Sequence, residues 1–168
     1  LVEAVQQQDR EAVRTLLKEG VDVNVSRPDG ATALAWAVHW DDQETADLLI
    51  RAGADVDAAN ELGVTPLMLA AVNGSATMVE RLLEAGADPN VSLKMGETPL
   101  MAAARSGNVR TVERLLAGGA EIDAAEHERE QTALMWAIAQ QHPDVVRVLI
   151  QKGADLEARS KVYYQLEN

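Results

Sequence analysis

Apolar residues recur along the chain as triplets at i, i+3, i+4, each closely followed by a glycine. The triplets are Val13/Leu16/Leu17, Ala46/Leu49/Ile50, Val79/Leu82/Leu83, Val112/Leu115/Leu116 and Val146/Leu149/Ile150. This spacing puts three side chains on one face of a helix. Charged residues such as Glu80, Arg81 and Glu84 fill the opposite face, which reads as solvated. Gly20, Gly53, Gly86, Gly119 and Gly153 are predicted to end these helices in the left-handed conformation. A second kind of helix is predicted to open at Thr32, Thr65, Thr98 and Thr132. Thr is an N-cap type, and Pro66 and Pro99 follow at the first helical position, where a missing N–H costs nothing. Leu34-Ala35-Trp36-Ala37, Leu67-Met68-Leu69-Ala70, Leu100-Met101-Ala102-Ala103 and Leu134-Met135-Trp136-Ala137 make that helix apolar nearly all round. It must therefore be covered on more than one side. Between a glycine and the next threonine lie about a dozen mostly polar residues, read as an extended excursion and turn.

The two landmarks keep one rhythm. The glycines are 33, 33, 33 and 34 residues apart, and the threonines 33, 33 and 34. The extra residue falls between Gly119 and Thr132, within the polar stretch Ala124 to Gln131. Each unit is turn, helix, turn, helix. None can bury its apolar faces alone, so the units must stack.

Thr65-Pro66-Leu67, Thr98-Pro99-Leu100, Gly53-Ala54-Asp55-Val56-Asp57 and Gly86-Ala87-Asp88-Pro89-Asn90 resemble the signature of the ankyrin-repeat family, and the likeness runs across nearly the whole chain. The resemblance implies an all-α solenoid of five stacked helix-turn-helix units with β-hairpin-like turns. The units are placed at about 1–26, 27–59, 60–92, 93–126 and 127–159, within a single domain over 1–168. A partial sixth unit is placed at about 160–168. The family's His after Thr-Pro-Leu is replaced by Ala35, Met68, Met101 and Met135. That puts in doubt the hydrogen-bond network this His supports between turns, but not the fold. The methionines are expected in the core. The Ala-rich, Cys-free, Met-for-His style resembles bacterial members of the family. The apolar end, Val162, Tyr163, Tyr164 and Leu166, reads either as a fold-back cap or as the start of further repeats, and continuation is the favoured expectation.

Composition narrows the function classes. The formal net charge of −12, from 27 acidic and 15 basic residues, repels phosphate backbones and argues against nucleic-acid binding. Without a cysteine there is no disulfide, thiolate nucleophile or Cys-based zinc site. No apolar run approaches the roughly 18 residues a membrane span needs, so no membrane association is expected. The compartment stays open, because a Cys-free chain suits the cytosol and an oxidising space equally, and a leader could have preceded Leu1.

Candidate chemistry is sparse. His39, His127 and His142 fall at unrelated places in the repeat, which disfavours a shared metal site. Pro143-Asp144 suits a helix start, and Asp41-Asp42 reads as a solvated helix N-terminus rather than an acid–base pair. There is no Gly-x-Ser-x-Gly elbow, phosphate-binding Gly-Lys-Ser/Thr loop, His-Glu-x-x-His or dinucleotide fingerprint. Asp22-Val23-Asn24 and its copies lack the spacing of a calcium loop. The expectation is a non-enzymatic protein without a cofactor or metal.

In the family, turn tips and the exposed side of the first helices form a continuous concave face, and the resemblance implies that ligands bind there. The positions carried over are Asp29, Ala31, His39 and Trp40 in unit two, and Glu61, Leu62, Val64, Val72 and Asn73 in unit three. Unit four gives Lys94, Met95, Glu97, Arg105 and Ser106; unit five gives Glu128, Arg129, Gln131, Ala139 and Gln140. Trp36 and Trp136 are expected to be buried. Trp40 is either an exposed interface anchor or lies flat against Val72 or Gln6 and Gln7. Leu62 and Met95 share one turn-tip position. A protein or peptide partner and a monomeric state are expected. The alternative is a spacer segment of a longer array with no ligand of its own.

Overall fold

The computed structural model describes residues 1–161. The apolar tail of Val162, Tyr163, Tyr164 and Leu166 lies outside the described residues. Among the described residues ten short helices follow one another: α1 (Val2–Gln6), α2 (Arg10–Lys18), α3 (Ala33–His39), α4 (Gln43–Arg51), α5 (Pro66–Asn73), α6 (Ala76–Glu84), α7 (Pro99–Ser106), α8 (Val109–Ala117), α9 (Ala133–Ala139) and α10 (Pro143–Gln151). They pair into five units. The first helices stack as one layer, α1 on α3, α3 on α5, α5 on α7 and α7 on α9, while α6, α8 and α10 stack alongside as a second. Each first helix is thus covered by its own partner and by its neighbours, which answers its all-round apolar surface.

Local chemistry fixes where each helix starts. Thr32, Thr65, Thr98 and Thr132 cap α3, α5, α7 and α9, each hydroxyl accepting the backbone N–H three residues on. Asp9, Asp42, Ser75 and Asn108 do the same for α2, α4, α6 and α8. His142 stands at the fifth such place and makes no side-chain cap; Pro143 follows it, and its Nε2 lies 2.9 Å from the Arg105 carbonyl. The glycines of the repeat all have positive φ, as a left-handed helix end requires. Between the two helices of a unit another left-handed residue recurs at Gln8, Asp41, Gly74, Gly107 and Gln141, so only units three and four use glycine there.

The core is a continuous column in which Leu34, Leu49, Leu67, Leu82, Leu100, Leu115 and Leu149 are fully buried. Met68 and Met101 belong to it and Met135 is half-buried, so the methionines standing in for His serve mainly as packing. Hydrogen bonding between units runs elsewhere. Asn24 Oδ1 accepts the Asp55 N–H at 2.8 Å while its amide donates to the Gly53 carbonyl at 3.1 Å. Asn90 repeats this with Glu121 and Gly119 at 2.8 and 3.2 Å. Asp57 and Asp123, as acceptors, receive the N–H groups of Asp88 and Asp155. The rungs Asn24, Asp57, Asn90 and Asp123 thus tie each unit to the next.

Turn tips are short and paired. Arg27, Asn60 and Leu93 each donate to the carbonyl four residues later, Ala31, Val64 and Glu97. In unit five the equivalent donor is Glu126, one residue ahead of the boundary expected at His127, and it reaches five residues on to Gln131. The extra residue therefore sits in this tip, within the stretch expected. Its Glu126 side chain turns inward, is buried, and accepts the N–H groups of Glu128, Arg129 and Gln131 at 2.7, 2.8 and 3.1 Å. Burial pushes the Glu126 carboxyl up, but those three bonds outweigh it and hold it below the usual carboxylate range.

Candidate functional site

The turn tips and the outer sides of α3, α5 and α7 present most of the residues singled out in the sequence. Large apolar side chains stand in solvent there: Trp40 is 44% exposed, Val72 48%, Met95 56% and Leu62 70%. Leu67 and Leu100 on α5 and α7 are buried, whereas these four are side chains that the stacking of units leaves exposed. Leu62 and Met95 occupy the tips because the turns must project. Asn60 Oδ1 takes the N–H groups of Leu62 and Val64, which leaves the Leu62 side chain pointing outward.

Trp40 is exposed and also meets aromatic neighbours from α3. Its ring stacks on Trp36, four residues earlier, with centroids 6.3 Å apart and planes at 30°, and meets His39 edge-on at 4.9 Å. His39 in turn stands edge-on to Trp36 at 5.5 Å. The i, i+4 spacing brings the two indoles together on one helix face. Trp36 and Trp136 are half-buried, which corrects the expectation of full burial. Both indole N–H groups are buried, while Trp36 also lines an open cleft.

Asp29, His39 and Val64 come together with Ala31, Ala35, Trp36, Asn60 and Leu69 around an open cleft of about 220 Å³ between units two and three. Asp29 Oδ1 is held by the Ala31 N–H at 3.0 Å. The Asp29 carbonyl accepts the Glu61 N–H at 3.2 Å, which docks one tip on the next. Among the described residues neither Asp29 nor Glu61 forms an ion pair.

The far half of the face differs in charge and in how its groups are used. Arg105 pairs with Glu97 at 3.0 Å and sets its guanidinium 5.0 Å over the centre of the Trp136 ring. Lys94 and Arg129 are exposed at the tips, and Gln131 is half-buried beneath the fifth tip, where its N–H serves Glu126. Asn73 is committed to structure, since its amide donates to the Val38 and His39 carbonyls at 3.2 and 3.3 Å. Units two and three thus gather aromatic, apolar and unpaired acidic groups, with Arg27 bonded to Gln6, whereas units four and five carry Lys94, Arg105 and Arg129.

Two organising residues were missed in the sequence. The buried Glu126 carboxylate is signalled only by the longer polar tip. The apolar flanks of Trp36 point to the core, and only the stacking of units shows that it lines an open cleft. Among the described residues no group of His, Asp or Glu is arranged to hold a metal, and no helix is long and apolar enough to cross a membrane.

A family profile described as ankyrin repeats (3 copies) matches residues 1–92 and again 87–160. No curated protein matches the chain.

Proposed function

The chain belongs to the ankyrin-repeat family, whose members generally serve as protein–protein interaction modules, and from that premise we propose that it binds a protein or peptide through the face of turn tips and first helices. The observation that carries the reading is the run of exposed Trp40, Leu62, Val72 and Met95 along one face of three successive units. Contiguous apolar side chains left in water mark interaction sites, and tryptophan is a frequent anchor. The family is typically non-enzymatic. The groups on this face suit recognition: a cleft walled by indole and carboxylate, apolar tips, and a charged far half. The other candidates are taken with the same surface: Asp29, His39, Glu61 and Val64 around or beside the cleft, Asn73 bonded to the end of α3, and Lys94, Glu97, Arg105, Arg129 and Gln131 beyond.

Replacing Trp40, Leu62 and Met95 together by alanine tests the assignment. Their exposure means that far-UV circular dichroism and melting should change little, while affinity for peptides selected against the parent chain should fall at least about a hundredfold, as for loss of hot-spot anchors. Unaltered affinity in the folded variant would sink the assignment and leave the spacer reading in its place.

A further inference from the structure

The chain uses one indole face of this surface itself. In units four and five a guanidinium, that of Arg105, rests 5.0 Å over Trp136 with the Glu97 carboxylate at 3.0 Å. An aromatic face takes a cation by its quadrupole, and a nearby carboxylate adds charge and orientation. Trp36 occupies the same place in unit two that Trp136 occupies in unit five. Around it the partners differ: Gln6 stands in the preceding unit where Arg105 stands before Trp136, Trp40 stacks on the ring, and the cation is missing. Asp29 lines the cleft beside Trp36, one carboxylate oxygen fixed by the Ala31 N–H. Among the described residues no cation stands over Trp36; Arg27, the nearest arginine in sequence, is engaged with the Gln6 side-chain oxygen at 2.9 Å. The cleft of about 220 Å³ is far larger than one water needs.

Resting on the reading of this face as a binding surface, we infer that the cleft between units two and three takes an arginine side chain from a basic segment of the partner protein, with the Trp36 ring as its platform and Asp29 as its counter-charge. Arginine fits better than lysine, because a planar guanidinium stacks on the ring and still presents in-plane donors to Asp29. Glu61, also without an ion pair, stands at the next tip, where a second basic residue of the same segment would pass. The chain's net charge of −12 draws such a segment in, and Lys94, Arg105 and Arg129 at the other end of the face fix its direction.

The test is a phage-displayed random 12-residue peptide library panned on the chain. Selected peptides are resynthesised with citrulline or lysine replacing each arginine, and melting is followed for every protein variant. The expected result is enrichment of arginine. One arginine per peptide should lose about tenfold or more in affinity as citrulline, which keeps the shape and removes the charge. Asp29→Asn should cost the arginine peptide several-fold and leave its citrulline form unaffected. Trp36→Phe, which keeps an apolar ring with a weaker cation-binding face, should show a smaller loss of the same selectivity. Selected peptides without enriched arginine, or arginine peptides indifferent to citrulline and to Asp29→Asn, overturn the inference. If such peptides still depend on Trp40, Leu62 and Met95, the binding face stands and only its arginine site falls. If arginine peptides need Asp29 and not those three residues, the broader face falls and the cleft stands. Absence of any enrichment counts against both.

Discussion

The Arg10 guanidinium in unit one closes on both carboxylate oxygens of Asp42 in unit two, with Nε 3.0 Å from Oδ2 and Nη2 2.9 Å from Oδ1. The same carboxylate caps α4 through the Thr45 N–H and hydroxyl, so one side chain starts a helix and joins two units. Burial pushes the Asp42 carboxyl up, but the bonds from Arg10 and Thr45 more than reverse it and leave it below the usual carboxylate range. The folded chain therefore binds fewer protons here than the unfolded one. The stabilisation is present above the unfolded carboxylate value and is lost as pH falls through it and then through the lower folded value. Asp42→Ala should cost about 1 kcal/mol at neutral pH through the lost cap. Urea midpoints of parent and variant should converge on acidification.

Glu126 predicts the same sign of pH dependence from a different cause. Its depressed carboxyl is held by three backbone N–H groups inside a turn. Glu126→Gln keeps the shape but weakens charge-assisted bonds, so a loss of about 2 kcal/mol is expected at neutral pH. Amide exchange should accelerate first at Glu128, Arg129 and Gln131. Uniform acceleration along the chain would contradict a role local to this tip.

Gln141 holds φ at 59° where unit four has Gly107 and unit three Gly74. A side chain in the left-handed region is strained, and Gln141→Gly should relieve it, offset in part by the greater freedom of an unfolded glycine. The net gain expected is up to about 1 kcal/mol. Thermal melting reads it directly, and a lower midpoint would show that the Gln141 side chain contributes packing beyond its strain.

Gly30 and Gly63 are equivalent tip residues with nearly equal φ, 79° and 83°. A Cβ on Gly30 would come within 2.9 Å of the Asn60 backbone, whereas one on Gly63 meets nothing within 4 Å. Gly63→Ala should cost only the left-handed penalty, about 1 kcal/mol. Gly30→Ala should cost more and reduce the seating of the second tip on the third. Comparing the two melting curves separates backbone conformation from close approach.

Much of this fold was legible because it is written in local chemistry. A triplet at i, i+3, i+4 with a glycine behind it defines a helix and its end, and Thr32, Thr65, Thr98 and Thr132 announce their caps without tertiary knowledge. The position of the extra residue followed from two landmarks shifting together. Relations between units were not legible. Arg10 and Asp42 are 32 residues apart, and nothing in the sequence marks them as partners until the rotation of one unit on the next is known. Trp36 and Trp136 have matching apolar surroundings, yet only the stacking of units shows that Arg105 covers the Trp136 ring while Trp40 and an open cleft meet Trp36. Trp40 was ambiguous because its cover is Trp36 on its own helix, a choice of rotamer rather than of sequence.

The rungs Asn24, Asp57 and Asn90 each reach a backbone N–H 31 residues on, whereas Asp123, the rung before the longer fifth turn, reaches 32 residues on to Asp155. The added length bulges at the tip around Glu126, and the next rung contact, Asp123 with the Asp155 N–H at 2.8 Å, forms as the others do. Loop length is thereby uncoupled from the pitch of the stack. The fifth tip is a natural grafting point, where foreign segments of varied length could be displayed without resetting the units on either side.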